Sequence, residues 1–208
     1  MISYAYKFVY VHIPKCAGTS VLGTFWKYFK KNLPPRYSYF ASDYATQKVS
    51  SHYGKYPVGQ DGPFKDYFAF TFVRNPWART VSSWKWRRQQ KWAGEKYSFD
   101  THCRLLKDKK LIKHYVGKEG IHCWDQCDVI AHNIGSVDRL DFTGKVENIE
   151  HDFHYVTDQL GIGELKLSHA NHSKNKKPYQ EFFNDKNKEI IYNRYKKDID
   201  TFEYTFES

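Results

Sequence analysis

The chain alternates short, nearly continuous apolar runs with longer stretches in which apolar residues recur at helical spacing. Phe8 to Ile13 is almost unbroken in aromatic and aliphatic residues, the pattern of a parallel strand covered on both faces. Beyond Pro14-Lys-Cys-Ala-Gly-Thr-Ser20, the positions Val21, Leu22, Phe25, Trp26 and Phe29 predict a helix that Pro34-Pro35 would close. A second strand is expected at Tyr67–Val73 and breaks at Arg74-Asn75-Pro76. There Asn75 suits an N-cap and Pro76 the first helical position, with Trp77, Val81 and Trp84 following at helical spacing. A third strand is expected near Asp141–Glu147, feeding a helix with Ile149, Phe153, Val156 and Leu160 on one face and Gly161 as its stop. Asn184 is expected to cap one last helix bearing Ile191, Tyr195, Ile199 and Phe202. Residues 36–66 read as turn-rich and 91–137 as irregular, apart from a helix around Cys103–Tyr115. Strands alternating with helices define an α/β chain.

Composition narrows the class. With 208 residues, the chain is expected to form one domain, 1–208. Its 40% hydrophobic and 18% aromatic content excludes intrinsic disorder, because such a chain can bury enough surface to offset ordering entropy. No run approaches the ~18 apolar residues of a membrane-crossing helix, and the N-terminus reads as a strand rather than a leader. Four cysteines are too few for a disulfide scaffold, so reduced thiols and a cytoplasmic location are expected, unless the chain is a trimmed lumenal catalytic domain. The net charge of +10 requires an anionic partner: nucleic acid, acidic membrane, phosphorylated cofactor or acidic polysaccharide.

Two strand–turn–helix junctions bear on that choice. In His12-Ile-Pro-Lys15-Cys16-Ala17-Gly18-Thr19-Ser20, a turn opens a helix straight after a buried strand, so backbone N–H groups and the helix dipole favour an anion of phosphate size. The Thr19 and Ser20 hydroxyls can donate to the same oxygens, and Lys15 adds a full charge. The nucleotide-kinase loop, G-x-x-x-x-G-K-S/T, is not present, because Lys15 lies five positions before Ser20 rather than beside it. In the second junction, Arg74 follows a strand and Ser82 lies eight residues on, inside the next helix. An arginine at a strand's carboxyl end can grip a phosphate through both arms of its guanidinium.

Together the junctions resemble the paired nucleotide motifs of sulfotransferases that use 3′-phosphoadenosine 5′-phosphosulfate (PAPS). His12–Ser20 resembles that family's 5′-phosphosulfate loop, and Phe72–Ser82 its 3′-phosphate motif. Phe142–Phe153 and Tyr195–Tyr204 are similar to the C-terminal half of the carbohydrate (polysaccharide O-) sulfotransferase branch. The resemblance implies a P-loop-like three-layer α/β fold, with a central, mainly parallel sheet flanked by helices. It also implies PAPS as sulfuryl donor, 3′,5′-ADP as product, and as acceptor a hydroxyl of a carbohydrate rather than of a small phenol.

Carried onto this chain, the resemblance gives Lys15 the 5′-phosphosulfate and the charge building on the leaving bridging oxygen. Gly18, Thr19 and Ser20, with the Cys16 and Ala17 backbone, cradle the 5′-phosphate, and Arg74 with Ser82 holds the 3′-phosphate. Cys16 stands where the motif usually has threonine, which removes a hydroxyl at that point. A general base must take the acceptor proton, and histidine titrates in the right range. Of ten histidines, His52 is the first choice, lying in the interval where related polysaccharide enzymes carry a base; His122, Glu147 and Asp100 remain alternatives. No metal is required, since a sulfuryl group carries less charge than a phosphoryl group. The His102, Cys103, His122, Cys123, Cys127 and His132 grouping lacks the paired hooks of a zinc site. Lys174–Lys177 corresponds to a loop that closes over the nucleotide in the resembling family, and the basic, aromatic stretch Trp84–Trp92 suits acidic sugars. The rival readings are a P-loop-type kinase and a basic nucleic-acid-binding module.

Overall fold

A computed structural model describes residues 1–32, 64–89, 97–107, 122–168 and 177–208. In chain order its elements are β1 (Ile2–Ser3), β2 (Phe8–Val11), α1 (Gly18–Asn32), β3 (Phe68–Val73), α2 (Pro76–Gln89), α3 (Phe99–Lys107), α4 (Gln126–Ile134), β4 (Phe142–Lys145), α5 (Ile149–Gln159), α6 (Asp185–Arg194) and α7 (Lys196–Phe202). The chain divides into two compact units, Met1–Val73 with Ile130–His172, and Arg74–Val129 with Ser173–Ser208.

The first unit holds the sheet, ordered β1-β2-β3-β4. β2 pairs parallel with β3 (Val9 opposite Ala69, Val11 opposite Thr71), and β3 parallel with β4 (Phe70 opposite Phe142). β1 pairs antiparallel with β2, an edge strand too short to register in the apolar pattern. Alternate side chains divide the two faces. Phe8, Tyr10, Phe70 and Phe72 share one aromatic cluster with Val21 and Phe25 of α1 and Phe153 and Val156 of α5. Tyr10 stacks on Phe70 at 5.1 Å between centroids, and Phe25 meets Phe153 at 5.4 Å. Each fully buried phenylalanine contributes roughly 1.5–3 kcal/mol. The opposite face, Val9, Val11, Ala69, Thr71 and Val73, is likewise withdrawn from water. The near-continuous apolar runs of β2 and β3 follow from this double burial.

Polar clasps fix the register at β4. The Asp141 carboxylate accepts the Ala69 N–H at 2.7 Å, while the Asp141 N–H donates to the Ala69 carbonyl at 2.8 Å. Asp152 of α5 accepts the Lys145 N–H at 2.7 Å. Gly144 is dictated by space, since a Cβ there would lie 2.5 Å from Phe72 Cε1. The expected Gly161 stop is real: with φ +63° it ends α5 in a Schellman turn, Ile162 N–H donating to Thr157 O at 3.1 Å and Gly161 N–H to Asp158 O at 3.0 Å.

The second unit is helical. Asn75 caps α2 as expected, its Oδ1 accepting the Trp77 N–H at 3.0 Å, and Asn184 caps α6, accepting the Asn187 N–H at 2.9 Å. Its core joins Trp77 and Val81 of α2, Phe99, Cys103 and Leu106 of α3, and Cys123, Ile191, Tyr195 and Ile199. The single last helix read from the sequence is two helices, because the chain breaks at Tyr195 (φ −116°, ψ 26°). The Tyr195 ring is buried and its hydroxyl donates to the Cys123 carbonyl at 3.1 Å. The α3 helix starts at Phe99, earlier than read, and residues 108–115 of that reading, like Pro34-Pro35, lie outside the described residues. All four cysteines are free and buried; burial pushes the Cys103 and Cys127 thiols up to about 12, so they stay protonated.

Two histidines make this fold acid-sensitive. Burial pulls His102 down to about 3, helped by the Arg87 charge, and pulls His12 down to about 4, helped by the N-terminal amine and Lys15. Both values lie below the ordinary 6.5, so between them the unfolded chain binds more protons than the folded one. Their stabilisation is therefore complete above about pH 6.5 and is lost as pH falls toward 4 and 3. The expected loss is about 2 kcal/mol per histidine by pH 5, read from denaturant midpoints at pH 7.5 and 5.0. A flat profile across that interval contradicts the neutral burial of both rings.

Candidate functional site

In the first unit, β2 ends at Val11 and the chain turns through His12–Ala17 into α1. Lys15 (φ 70°) and Ala17 (φ 56°) are left-handed, unusual for residues with a Cβ and costing of order 1–2 kcal/mol each. Left-handed residues alternating with ordinary ones turn successive N–H groups toward one side, the arrangement that forms anion-binding concavities. The first helical bonds, Ser20 N–H and Val21 N–H to the Ala17 carbonyl at 2.9 and 3.2 Å, leave the Gly18 and Thr19 N–H groups ahead of the ladder. Gly18 is not the left-handed residue of this turn. It is glycine because a Cβ would stand 2.0 Å from His12 Nε2. His12, stacked against Tyr10 at 6.2 Å, thus packs the loop directly onto the helix start.

The Cys16 thiol is buried 3.8 Å from the Pro14 carbonyl and its N–H donates to the Ile13 carbonyl at 3.3 Å, so this residue closes the loop on itself, and the expected part of its backbone in the phosphate cradle is not seen. Thr19 is exposed, and Ser20 and Lys15 are half-buried. The Ser20 carbonyl accepts from Thr24 Oγ1 at 2.9 Å and from Ser168 Oγ at 3.1 Å, which ties the chain before residue 169 to the first turns of α1. The donor set of this loop, backbone N–H groups at a helix start with two hydroxyls and one ammonium, fits an oxyanion.

In the second unit, the half-buried Arg74 is the first residue after β3, and Ser82 sits two turns along α2. The Arg74 main chain is held by an amide that imitates a strand partner: its N–H donates to Gln126 Oε1 at 2.9 Å and its carbonyl accepts from Gln126 Nε2 at 2.9 Å. Gln126 opens α4, a helix that sequence reading left as irregular chain. The cap of α4 comes from far away: the Asp198 carboxylate of α7 accepts the Gln126 N–H at 2.7 Å and the Cys127 N–H at 2.9 Å. Burial raises the Asp198 pKa, against the opposing pull of Arg79 and of these two bonds.

Arg79 is the residue that sequence reading passed over within the second motif. It is 2% exposed and donates to the Trp124 carbonyl at 2.7 Å. Arg194, paired with Asp125 at 2.6 Å, donates to the Cys123 carbonyl. Two buried guanidiniums therefore hold residues 122–125 in place. His122 begins that segment, and its ring stacks on Trp86 at 4.3 Å and 12°. Trp86 is one turn beyond Ser82 and shares its face of α2.

Of the other base candidates, Asp100 accepts from Asn187 Nδ2, which commits it to the packing of α3 on α6. Glu147 is exposed in the turn after β4, and His52 lies outside the described residues, as does the 174–176 part of the basic loop. Among the described residues, no group of three or more His, Cys, Asp or Glu side chains is placed to hold a metal, and no helix is long and apolar enough to cross a membrane.

A parallel-sheet α/β fold with an anion-shaped loop at a strand end defines a class of phosphate- and sulfate-handling proteins. Within that class the chain belongs to the sulfotransferase family, whose model matches residues 1–205. No curated protein and no solved structure matches it. Membership makes the protein a sulfotransferase enzyme and sets aside the kinase and nucleic-acid-module readings.

The clamp on Arg74 has a measurable weight. Gln126→Leu strips both partners from the Arg74 main chain, and the expected destabilisation is about 1–3 kcal/mol. Urea denaturation checks it, and an unchanged midpoint would show that the amide bonds contribute nothing net.

Proposed function

We propose that this sulfotransferase takes its sulfuryl group from PAPS and passes it to a carbohydrate hydroxyl. The observation that carries this reading is the loop 14–20: left-handed Lys15 and Ala17, the space-limited Gly18 and the open start of α1 together suit an oxyanion at the carboxyl end of β2. The donor brings an activated sulfuryl group on a phosphate leaving group. Lys15 then counters the negative charge gathering on the bridging oxygen, and the N–H groups of the loop with Thr19 and Ser20 hold the 5′-phosphate. Fixed charges of this kind lower a barrier because they need no reorganisation as the charge develops. Arg74 and Ser82 hold the 3′-phosphate, the arginine through its planar fork.

A base must remove the acceptor proton as its oxygen attacks in line. We assign that role to His52, with His122 as the second choice. The pairing with Trp86 favours His122 as an alternative over the two carboxylates, since Asp100 is committed to Asn187.

Arg74→Ala is expected to weaken 3′,5′-ADP binding by roughly 1.5–3 kcal/mol, the range for a charged hydrogen-bond partner. Unchanged affinity by titration calorimetry removes Arg74 from the site. Activity with ATP in place of PAPS, or no release of 3′,5′-ADP from PAPS, overturns the donor assignment.

The base is settled by turnover. His52→Ala should lower kcat by roughly 10²–10⁴-fold and leave 3′,5′-ADP affinity intact. Wild-type turnover in that variant, with loss in His122→Ala, transfers the role to His122.

A further inference from the structure

The second unit contains a recess of about 370 Å³ lined by Lys107, Lys186, Glu189, Ile190, Asn193 and Arg194, none of which belongs to either junction. Its volume falls at the lower end of pockets that hold small ligands. Four of these residues, 186, 189, 190 and 193, follow the i, i+3, i+4, i+7 pattern on α6, so they form one wall about 10 Å long. Lys107, the last residue of α3, supplies a facing cation.

The cations here differ from others on α6 and α7. Lys188 of α6 lies 3.6 Å from Glu207 and over the Phe206 ring at 4.1 Å, and Lys197 of α7 pairs with Asp128 at 2.7 Å. Lys107 and Lys186 make no ion pair or hydrogen bond among the described residues. Arg194 is nine-tenths buried with its Nη groups committed to Asp125 and Cys123, while its Nε has no partner among the described residues. Two uncommitted ammonium groups beside one carboxylate give the recess a net attraction for an anion.

The remaining lining says which anion. Single-stranded nucleic acid is held by aromatic faces that stack its bases and by cations along its phosphates; among the described residues, the lining of this recess has no aromatic side chain and carries the Glu189 carboxylate. Glu189 can accept from hydroxyls, Asn193 can both donate and accept, and Ile190 offers an apolar patch for a C–H face.

We propose that this recess seats an acidic sugar unit of the acceptor glycan. The sugar's carboxylate or sulfate ester lies between Lys107 and Lys186, and its ring hydroxyls meet Glu189 and Asn193. The proposal rests on the reading of the acceptor as a carbohydrate and assigns it to the acidic class.

The test is titration calorimetry of the full chain with two tetrasaccharides, one bearing uronate carboxylates without sulfate and one sulfated with its carboxyls reduced. At least one should bind, and which one does identifies the acid group. The double variant Lys107→Gln/Lys186→Gln should weaken that binding by roughly tenfold while 3′,5′-ADP affinity stays unchanged. Glu189→Ala separates a sugar seat from plain charge attraction, because lost hydroxyl contacts lower affinity whereas removal of a repelling carboxylate raises it. The proposal is overturned if neither tetrasaccharide binds, if the double variant binds like wild type, if Glu189→Ala binds more tightly, or if a short single-stranded DNA competes at equal charge. Should 3′,5′-ADP fail to bind while the tetrasaccharide response holds, the donor assignment falls and the recess stands.

Discussion

The parallel pairing of β2 with β3 is the constraint from which the rest of the first unit follows. Parallel strands need long crossovers, and both faces of the sheet must then be covered. The aromatic face of Phe8, Tyr10, Phe70 and Phe72 accordingly receives α1 and α5. The same pairing ends β2 and β3 at the same edge of the sheet, two residues apart in register. Ligands of open α/β sheets bind beyond that edge, and the Lys15 loop begins there.

A second layer of constraint is polar and buried. Asp198 caps α4, Gln126 at that cap clasps the Arg74 main chain, and Arg79 and Arg194 hold the carbonyls at Cys123 and Trp124. Each group is withdrawn from water, so removing one member leaves another unsatisfied at a cost well above that of a surface bond. The backbone at Arg74 and the segment bearing His122 are thereby fixed by residues 43 to 72 positions away in sequence. Such a frame suits chemistry that depends on positioning and fixed charge rather than on a reactive side chain.

The +10 charge acquires distinct roles in this setting. Arg79 and Arg194 are structural, spent on carbonyls and a buried carboxylate. Lys15 belongs to the loop that suits an oxyanion, and Arg74 to the second motif. Lys107 and Lys186 remain uncommitted at the recess. A single excess charge read from composition thus divides into internal ties, a cation in the anion-suited loop and two uncommitted cations at the recess.

The sequence by itself determined β2, β3 and β4, most helices and where the two junctions fall along the chain. Double burial writes β2 and β3 as unbroken apolar runs, and local chemistry writes the Asn75 and Asn184 caps and the Gly161 stop. What escaped it was non-local. Helix α4 follows Asp125, a capping residue type, but that carboxylate pairs with Arg194 and the first N–H groups go to Asp198 of α7 instead. The break at Tyr195 answers to burial beside Cys123, not to any helix-breaking residue. Gly18, legible as a loop glycine, owes its place to the His12 ring, a contact that only the folded loop creates. Periodicity and capping are properties of neighbours along the chain, whereas the polar frame and the recess join residues that meet only once the core has formed.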